Sequence, residues 1–252
     1  MNIDSFLSLQ SPLEWSVLFL SALFIGMSKT GIQGINMLTI PLMALIFGAK
    51  SSTGLILPML CFSDILAVLY YRRETRWKYI FRLLPSALAG FVLALAVDKF
   101  VPPAEFKHLL AGCLLVVIVV MIWSERGKKE NKLINRWWYG PVFGLLGGFT
   151  TMIGNAAGPV MAIYLLSVKL PKYSFVGTSA WFFLVINYLK LPIQVFAWHN
   201  ITLSSLLLNL YTVPFMIIGA AVGIYIVKKL PEKGFRMFIT VVTVISVLIL
   251  LF

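Results

Sequence analysis

The sequence has 252 residues, of which 60% are hydrophobic and only 12% are charged, and its net charge is +12. An ordinary soluble domain is about a quarter charged, so this composition argues against a soluble globular enzyme and indicates a bundle embedded in a lipid bilayer. The cations lie in short gaps between apolar runs and not on one basic face. That distribution argues against nucleic acid as a partner and is typical of cytoplasmic loops.

The apolar runs predict ten helical segments. In chain order they cover approximately residues 13–28, 36–47, 54–71, 80–98, 106–123, 139–152, 156–168, 174–198, 202–227 and 235–252. A spanning helix needs about 20 residues, so the second, sixth and seventh segments are too short to cross alone. We interpret them as half-helices or hairpin arms that end inside the membrane. The charge pattern does not separate two short spans from one re-entrant hairpin.

Lysine and arginine clusters predict the orientation. The clusters occupy residues 72–82, 124–136, 169–172 and 228–236. If the segments alternate from an N-terminus outside the cell, all four clusters fall in the cytoplasm, as the positive-inside rule requires. The prediction is a multi-pass protein of the cell membrane, the inner membrane of a bacterium, with both termini outside.

The two halves of the sequence resemble each other. Shifts of 129 and 123 residues align several glycines, prolines and polar residues, among them Pro85 with Pro214, Gly90 with Gly219, Gly54 with Gly177, and Asp64 with Asn187. Each half holds five segments, an odd number, so the second half enters the membrane inverted, as in many transporters. We therefore predict an all-α protein with a first repeat at residues 1–123, a basic cytoplasmic linker at 124–138 and a second repeat at 139–252.

Two glycine-rich stretches correspond to each other in this repeat, FIGMSKTGIQGINM at 24–37 and GGFTTMIGNAAGPVMAIY at 147–164. A helix that starts inside the membrane exposes backbone N–H groups and a partial positive charge, and glycine lets a ligand approach the backbone. The prediction is an anion site near the midplane. Its candidate residues are Lys29, Gly31, Gln33, Gly34, Asn36, Gly154, Asn155, Gly158 and Pro159. The alternatives are helix packing for the glycines and, for Lys29, a side chain that snorkels to the cytoplasmic interface.

Three further polar residues lie within apolar segments. Asp64 and Asn187 are repeat mates, and Lys190 follows Asn187 by about one helical turn. We expect Asn187 and Lys190 to join the substrate site, and Asp64 to form with Lys190 a charge pair that a proton or a competing anion opens. The alternatives are a static structural pair, and a Lys190 that snorkels to the outer face. The spacing of His, Cys, Asp and Glu predicts neither a metal site nor a cofactor.

With these residues in view, the sequence resembles the TauE/SafE family of membrane transporters. The resemblance rests on GMSKTGIQGINMLTIPLM, on GLLGGFTTMIGNAAGPVMAIYLL and on SFVGTSAWFFLVINYLKLP, and it covers nearly the whole chain. It implies a secondary transporter that exports sulfite, a sulfonate or a related oxyanion or carboxylate by alternating access, and that is not an enzyme. The second stretch has Asn155, Ala156 and Ala157 where the family is often richer in glycine.

Two other functions remain open from the sequence. Glycine-rich re-entrant hairpins also suit an anion channel, and a ten-helix metabolite carrier of another family has the same segment count. The residues do not decide the identity of the anion, the direction of transport, coupling to protons or the oligomeric state.

Overall fold

The computed structural model describes residues 11–98, 100 and 136–251, and every regular element in these residues is helical. The first half contains α1 (Pro12–Thr30), a 3₁₀ turn (Ile35–Met37), α2 (Thr39–Phe47), α3 (Ala49–Tyr71) and α4 (Trp77–Asp98). The second contains α5 (Tyr139–Gly154), α6 (Gly158–Ser167), α7 (Lys172–Pro192), a π-helical extension of α7 (Ile193–Ala197), α8 (Leu203–Lys229) and α9 (Glu232–Leu251). Nine predicted segments are thus helical, while segment 106–123 and most of the linker lie outside the described residues.

Four helical stretches are long and apolar enough to cross a membrane, and this supports the assignment as a membrane protein. They cover residues 51–74, 77–97, 172–197 and 203–229. Two shorter apolar helical stretches cover 35–47 and 158–167. They correspond to the second and seventh predicted segments, and the sixth is a helix of 16 residues, α5; all three are shorter than a spanning helix, as the sequence predicted.

Local sequence explains where the helices begin and break. Ser11 and Glu14 form a capping box at the start of α1, with Pro12 in its first turn; both features favour a helix start. At the end of α5, Asn155 takes a left-handed conformation with φ 55°, which asparagine tolerates better than most residues. Gly158 then opens α6 with Pro159 in the first turn, so the predicted helix start at this position is confirmed.

Helices α5 and α6 form a hairpin whose two outer ends lie together. The Tyr139 ring, at the start of α5, stacks at 6.0 Å on the ring of Tyr164, near the end of α6. Phe143 lies 5.6 Å from the same ring. The chain therefore turns back after Asn155 and does not continue in the direction of α5.

Helices α1 and α2 form a second hairpin, which enters from the other end of the bundle. Trp15, in the first turn of α1, and Phe47, the last residue of α2, pack against one apolar cluster. The two hairpin tips touch: a Cβ built on Gly158 would lie 3.4 Å from Asn36 Oδ1 and 3.7 Å from the Gly34 nitrogen. Gly34 has φ 103°, a conformation that favours glycine.

Each hairpin is held by the fourth helix of the other half. A Cβ built on Gly26 in α1 would lie 2.3 Å from the Met216 carbonyl oxygen in α8. A Cβ on Gly148 in α5 would lie 2.0 Å from the Ala87 carbonyl oxygen in α4. These two glycines serve close helix packing, as one of the sequence interpretations proposed, because no larger residue fits between the backbones.

The basic loops lie together at one end of the bundle. The Thr75 hydroxyl donates to the Gly177 carbonyl at 3.3 Å, which joins the loop after α3 to the start of α7. Lys172 Nζ donates to the Leu230 carbonyl at 2.6 Å, and Arg236 donates to the Leu170 carbonyl at 2.7 Å. The clusters at 72–82, 169–172 and 228–236, separated in sequence, therefore share one face of the molecule.

Candidate functional site

An ion pair is buried in the middle of the bundle. Lys29 Nζ, near the end of α1, lies 2.9 Å from Asp64 Oδ1, in α3, and the two side chains are 7% and 0% exposed. Lys29 Nζ also lies 4.0 Å from the centre of the Phe183 ring, a cation–π contact that further stabilises the ammonium. Lys29 thus points into the protein and does not snorkel to an interface.

Asn187 joins this pair from α7. Its amide nitrogen donates to Asp64 Oδ2 at 2.6 Å, so each oxygen of the carboxylate faces a different partner. Asp64 and Asn187 occupy matching positions in the two halves of the sequence. They meet where α3 and α7 pack against each other.

Lys190 is fully buried and has a different set of partners. Its ammonium donates to the Thr151 carbonyl at 2.7 Å, to the Thr151 hydroxyl at 3.2 Å and to Asn155 Oδ1 at 2.5 Å. The expected Asp64–Lys190 pair is therefore not formed, because Asp64 pairs with Lys29 instead. Lys190 is three residues beyond Asn187, so it lies on the same side of α7 but about one turn further along the axis, where the end of α5 supplies its partners.

A small cavity lies between the two hairpin tips, beside the ion pair. The first hairpin contributes Ser28, Lys29, Gln33 and Asn36, the second contributes Thr151, Asn155 and Gly158, and α3 and α7 contribute Leu60, Ser179, Phe183 and Asn187. Its free volume is about 10 Å³, roughly the room that one water molecule needs. An oxyanion therefore enters only if the tips move apart.

Six of the predicted site residues line this cavity: Lys29, Gln33, Asn36, Asn155, Gly158 and Asn187. The other predicted residues lie around it. Gly34 faces Gly158 across the tips, and Lys190 lies behind Thr151 and Asn155. Gly154 and Pro159 are buried at the end of α5 and the start of α6. Gly31 packs against α8, where its Cβ would lie 2.6 Å from the Gly223 carbonyl oxygen.

The sequence reasoning missed three hydroxyl groups of the cavity, on Ser28, Thr151 and Ser179. A signal for two of them was present, because Ser28 and Thr151 are separated by 123 residues, the shift that also aligns Asp64 with Asn187. Ser179 is not matched by a polar residue at that shift. Its side-chain oxygen is buried and has no hydrogen-bond partner within the described part of the chain.

The hydrogen bonds orient two amides as donors. The Ser28 hydroxyl donates to Asn36 Oδ1 at 3.2 Å, and Lys190 donates to Asn155 Oδ1. Because the amide oxygens accept these bonds, the amide nitrogens of Asn36 and Asn155 can only donate. One N–H of Asn155 meets the Thr53 carbonyl oxygen at 3.5 Å, which leaves its second N–H for a ligand. Together with Lys29 they give a site suited to an anion. Among the described residues, no group of three His, Cys, Asp or Glu side chains could hold a metal ion.

Comparison with known proteins gives one result that covers both hairpins. The model of the family described as "Sulfite exporter TauE/SafE" matches residues 18–250, which confirms the resemblance found in the sequence. Neither the curated proteins nor the solved structures compared with this chain give a match. With nearly the whole chain covered, including both hairpin tips and the buried ion pair, the protein belongs to the TauE/SafE family of sulfite exporters.

Proposed function

We propose that this protein is a secondary transporter that exports a small sulfur-containing or organic anion, such as sulfite, a sulfonate or a related oxyanion or carboxylate, across the cell membrane by alternating access. The observation that carries the proposal is the cavity between the hairpin tips, where a buried lysine, hydroxyls and amide nitrogens converge. A buried anion is costly unless it is paired and hydrogen-bonded. The cavity offers both a cation and neutral donors.

An inverted repeat is part of the proposal, and reciprocal contacts support it. Three close contacts have a counterpart in which one partner is shifted by 122 or 123 residues and the other by 129. They are Gly26–Met216 with Gly148–Ala87, Leu23–Gly219 with Leu145–Gly90, and Gly54–Asn200 with Gly177–Tyr71. A pseudo-twofold axis between the halves produces such an exchange of partners. We retain the first repeat at 1–123, the basic linker at 124–138 and the second repeat at 139–252.

Alternating access follows from the positions of the hairpins. They enter from opposite ends of the bundle and meet at their tips, so we infer that both are re-entrant in the membrane. Withdrawal of one hairpin opens the cavity towards its own side, while the other hairpin keeps the opposite side closed. In inverted-repeat transporters the two halves exchange such roles around a fixed central site.

Orientation and coupling complete the proposal. The face that carries the basic loops is the cytoplasmic one, and the protein lies in the inner membrane of a bacterium. Both termini are then on the outer side of that membrane. The group that we assign to proton coupling is Asp64, because its ionised carboxylate is the counter-ion of Lys29. The anion competes with this carboxylate for the same ammonium, 2.9 Å away.

Flux of labelled sulfite in proteoliposomes tests the proposed function. A carrier gives an initial rate that saturates with sulfite concentration, and unlabelled sulfite on the far side accelerates the exchange of label. An anion channel, the alternative function, shows neither saturation of the initial rate with sulfite nor faster label exchange when unlabelled sulfite is on the far side. The control variant is Asn155→Asp, which replaces a cavity amide by a carboxylate and should abolish the flux. Labelled flux without counter-exchange would rule out the carrier.

A further inference from the structure

The centre of the bundle holds an unequal number of buried charges. Among the described residues, the buried side chains that are formally charged are Lys29, Asp64 and Lys190. All three belong to the cavity or to the side chains that contact it. Two cations and one anion leave the centre with a formal charge of +1.

The two lysines differ in how their charges are compensated. Lys29 is neutralised by Asp64 at 2.9 Å. Lys190 contacts a carbonyl, a hydroxyl and an amide oxygen, none of which carries a net charge. Three oxygen acceptors match the three N–H donors of an ammonium group, so the surroundings of Lys190 fit its protonated form. The uncompensated charge of the centre therefore lies on Lys190.

Lys190 does not line the cavity, but it acts on the cavity through one residue. Its ammonium holds Asn155 Oδ1 at the tip of the second hairpin, and Asn155 lines the cavity. This contact places the Asn155 amide nitrogen on the side away from Lys190, where one N–H meets the Thr53 carbonyl oxygen at 3.5 Å. It also adds positive potential at the tip. Lys190 is thus a positioning residue and a source of charge, while Asn155 is the group that touches the ligand.

We propose that the cavity selects a singly charged oxyanion over a doubly charged one. This inference rests on the proposed function, because it names the charge class of the transported anion. One negative charge brings the buried centre to neutrality, whereas two leave it at −1. A net charge in a low-dielectric interior is unfavourable, so the doubly charged ligand should bind more weakly.

Methanesulfonate and sulfate test the proposal, because both have tetrahedral sulfur and oxygen ligands but they carry one and two negative charges. Affinities are measured by calorimetry or by thermal shift of the purified full-length protein at neutral pH. The wild type should bind methanesulfonate more tightly than sulfate by about tenfold or more, the effect of roughly one unit charge near the site. Equal affinity, or tighter sulfate binding, overturns the proposal.

Variants that change the central charge sharpen the test. Asp64→Asn raises the charge to +2 and should shift the affinity ratio towards sulfate by about tenfold or more. Lys190→Met lowers it to zero and should weaken binding of both anions, whereas Lys190→Arg keeps the charge and should keep the preference. If Asp64→Asn does not accumulate in the membrane, the wild-type preference and the two Lys190 variants still test the proposal. Unchanged affinities in Lys190→Met overturn the proposal.

Two matched controls separate local charge from general effects. Lys233→Met removes a cation from an exposed position at the start of α9, and Ser63→Ala alters the buried residue next to Asp64. Both should keep the wild-type ratio, and a shift in Lys233→Met equal to that in Lys190→Met would contradict a local effect. If the protein prefers sulfate but still transports sulfite, only the proposed charge selectivity is wrong. Absence of binding for methanesulfonate, sulfate and sulfite alike defeats the proposed function as well.

Discussion

The Lys29–Asp64 contact should dominate the stability of the central site. At 2.9 Å and an effective dielectric constant of about 20, the Coulomb attraction is about 6 kcal/mol, from which desolvation of both groups subtracts. Lys29→Met or Asp64→Asn alone leaves one charge buried without its partner. Each single change should therefore lower the free energy of unfolding by about 3–5 kcal/mol. The double variant should recover most of that loss.

A double-mutant cycle on purified protein in detergent measures this coupling. Unfolding free energies of the wild type, both single variants and the double variant give the pairwise term. The control cycle uses Arg236 and Glu232, an ion pair of 3.3 Å whose side chains are 30% and 44% exposed, which should contribute less than about 1 kcal/mol. A Lys29–Asp64 coupling no larger than this control would refute the reasoning.

Three other expectations follow from the packing, the cavity and the orientation. Gly148→Ala should destabilise the protein by about 1–3 kcal/mol by overpacking, whereas Gly147→Ala, whose Cβ meets nothing closer than 3.7 Å, should be tolerated; equal melting temperatures would contradict this. Asn155→Ala should weaken anion binding by about 1.5–3 kcal/mol, and unchanged affinity removes this amide from the site. In a background without native cysteines, a cysteine at Lys233 should resist impermeant thiol reagents in intact cells and one at Asn200 should react, and the reverse pattern would invert the proposed orientation.

The helices could be predicted because long apolar runs and their capping residues are local signals. The paths of the short segments could not, because the charge of the loops is the same whether a pair of segments crosses twice or turns back. Long-range contacts distinguish the two cases. The stacking of Tyr139 on Tyr164 joins the start of α5 to the end of α6, and no sequence pattern within either helix specifies that contact.

Six of the predicted site residues line one cavity, but the pairings of the buried charges were not predicted. The repeat aligned Asp64 with Asn187, and the structure joins these two side chains by a hydrogen bond of 2.6 Å that the sequence analysis did not predict. It also favoured Lys190 as the partner of Asp64, whereas the structure pairs Asp64 with Lys29. Lys190 lies on the same side of α7 as Asn187, one turn further along, and at that level its partners come from the end of α5 and not from α3.

One side-chain contact joins each hairpin to a central helix, α3 or α7, and the two contacts differ in chemistry. In the first, the lysine belongs to the hairpin and its partner is the carboxylate of Asp64 on α3. In the second, Lys190 belongs to the central helix α7 and its partner on the hairpin is the neutral amide of Asn155. An anion between the tips competes with the charged Asp64 carboxylate for Lys29. At Asn155 it gains a hydrogen-bond donor that Lys190 has already oriented. The proposed repeat thus carries an asymmetric charge distribution, and the sequence alignment does not reveal it because Asp64 and Asn187 align as if they were equivalent.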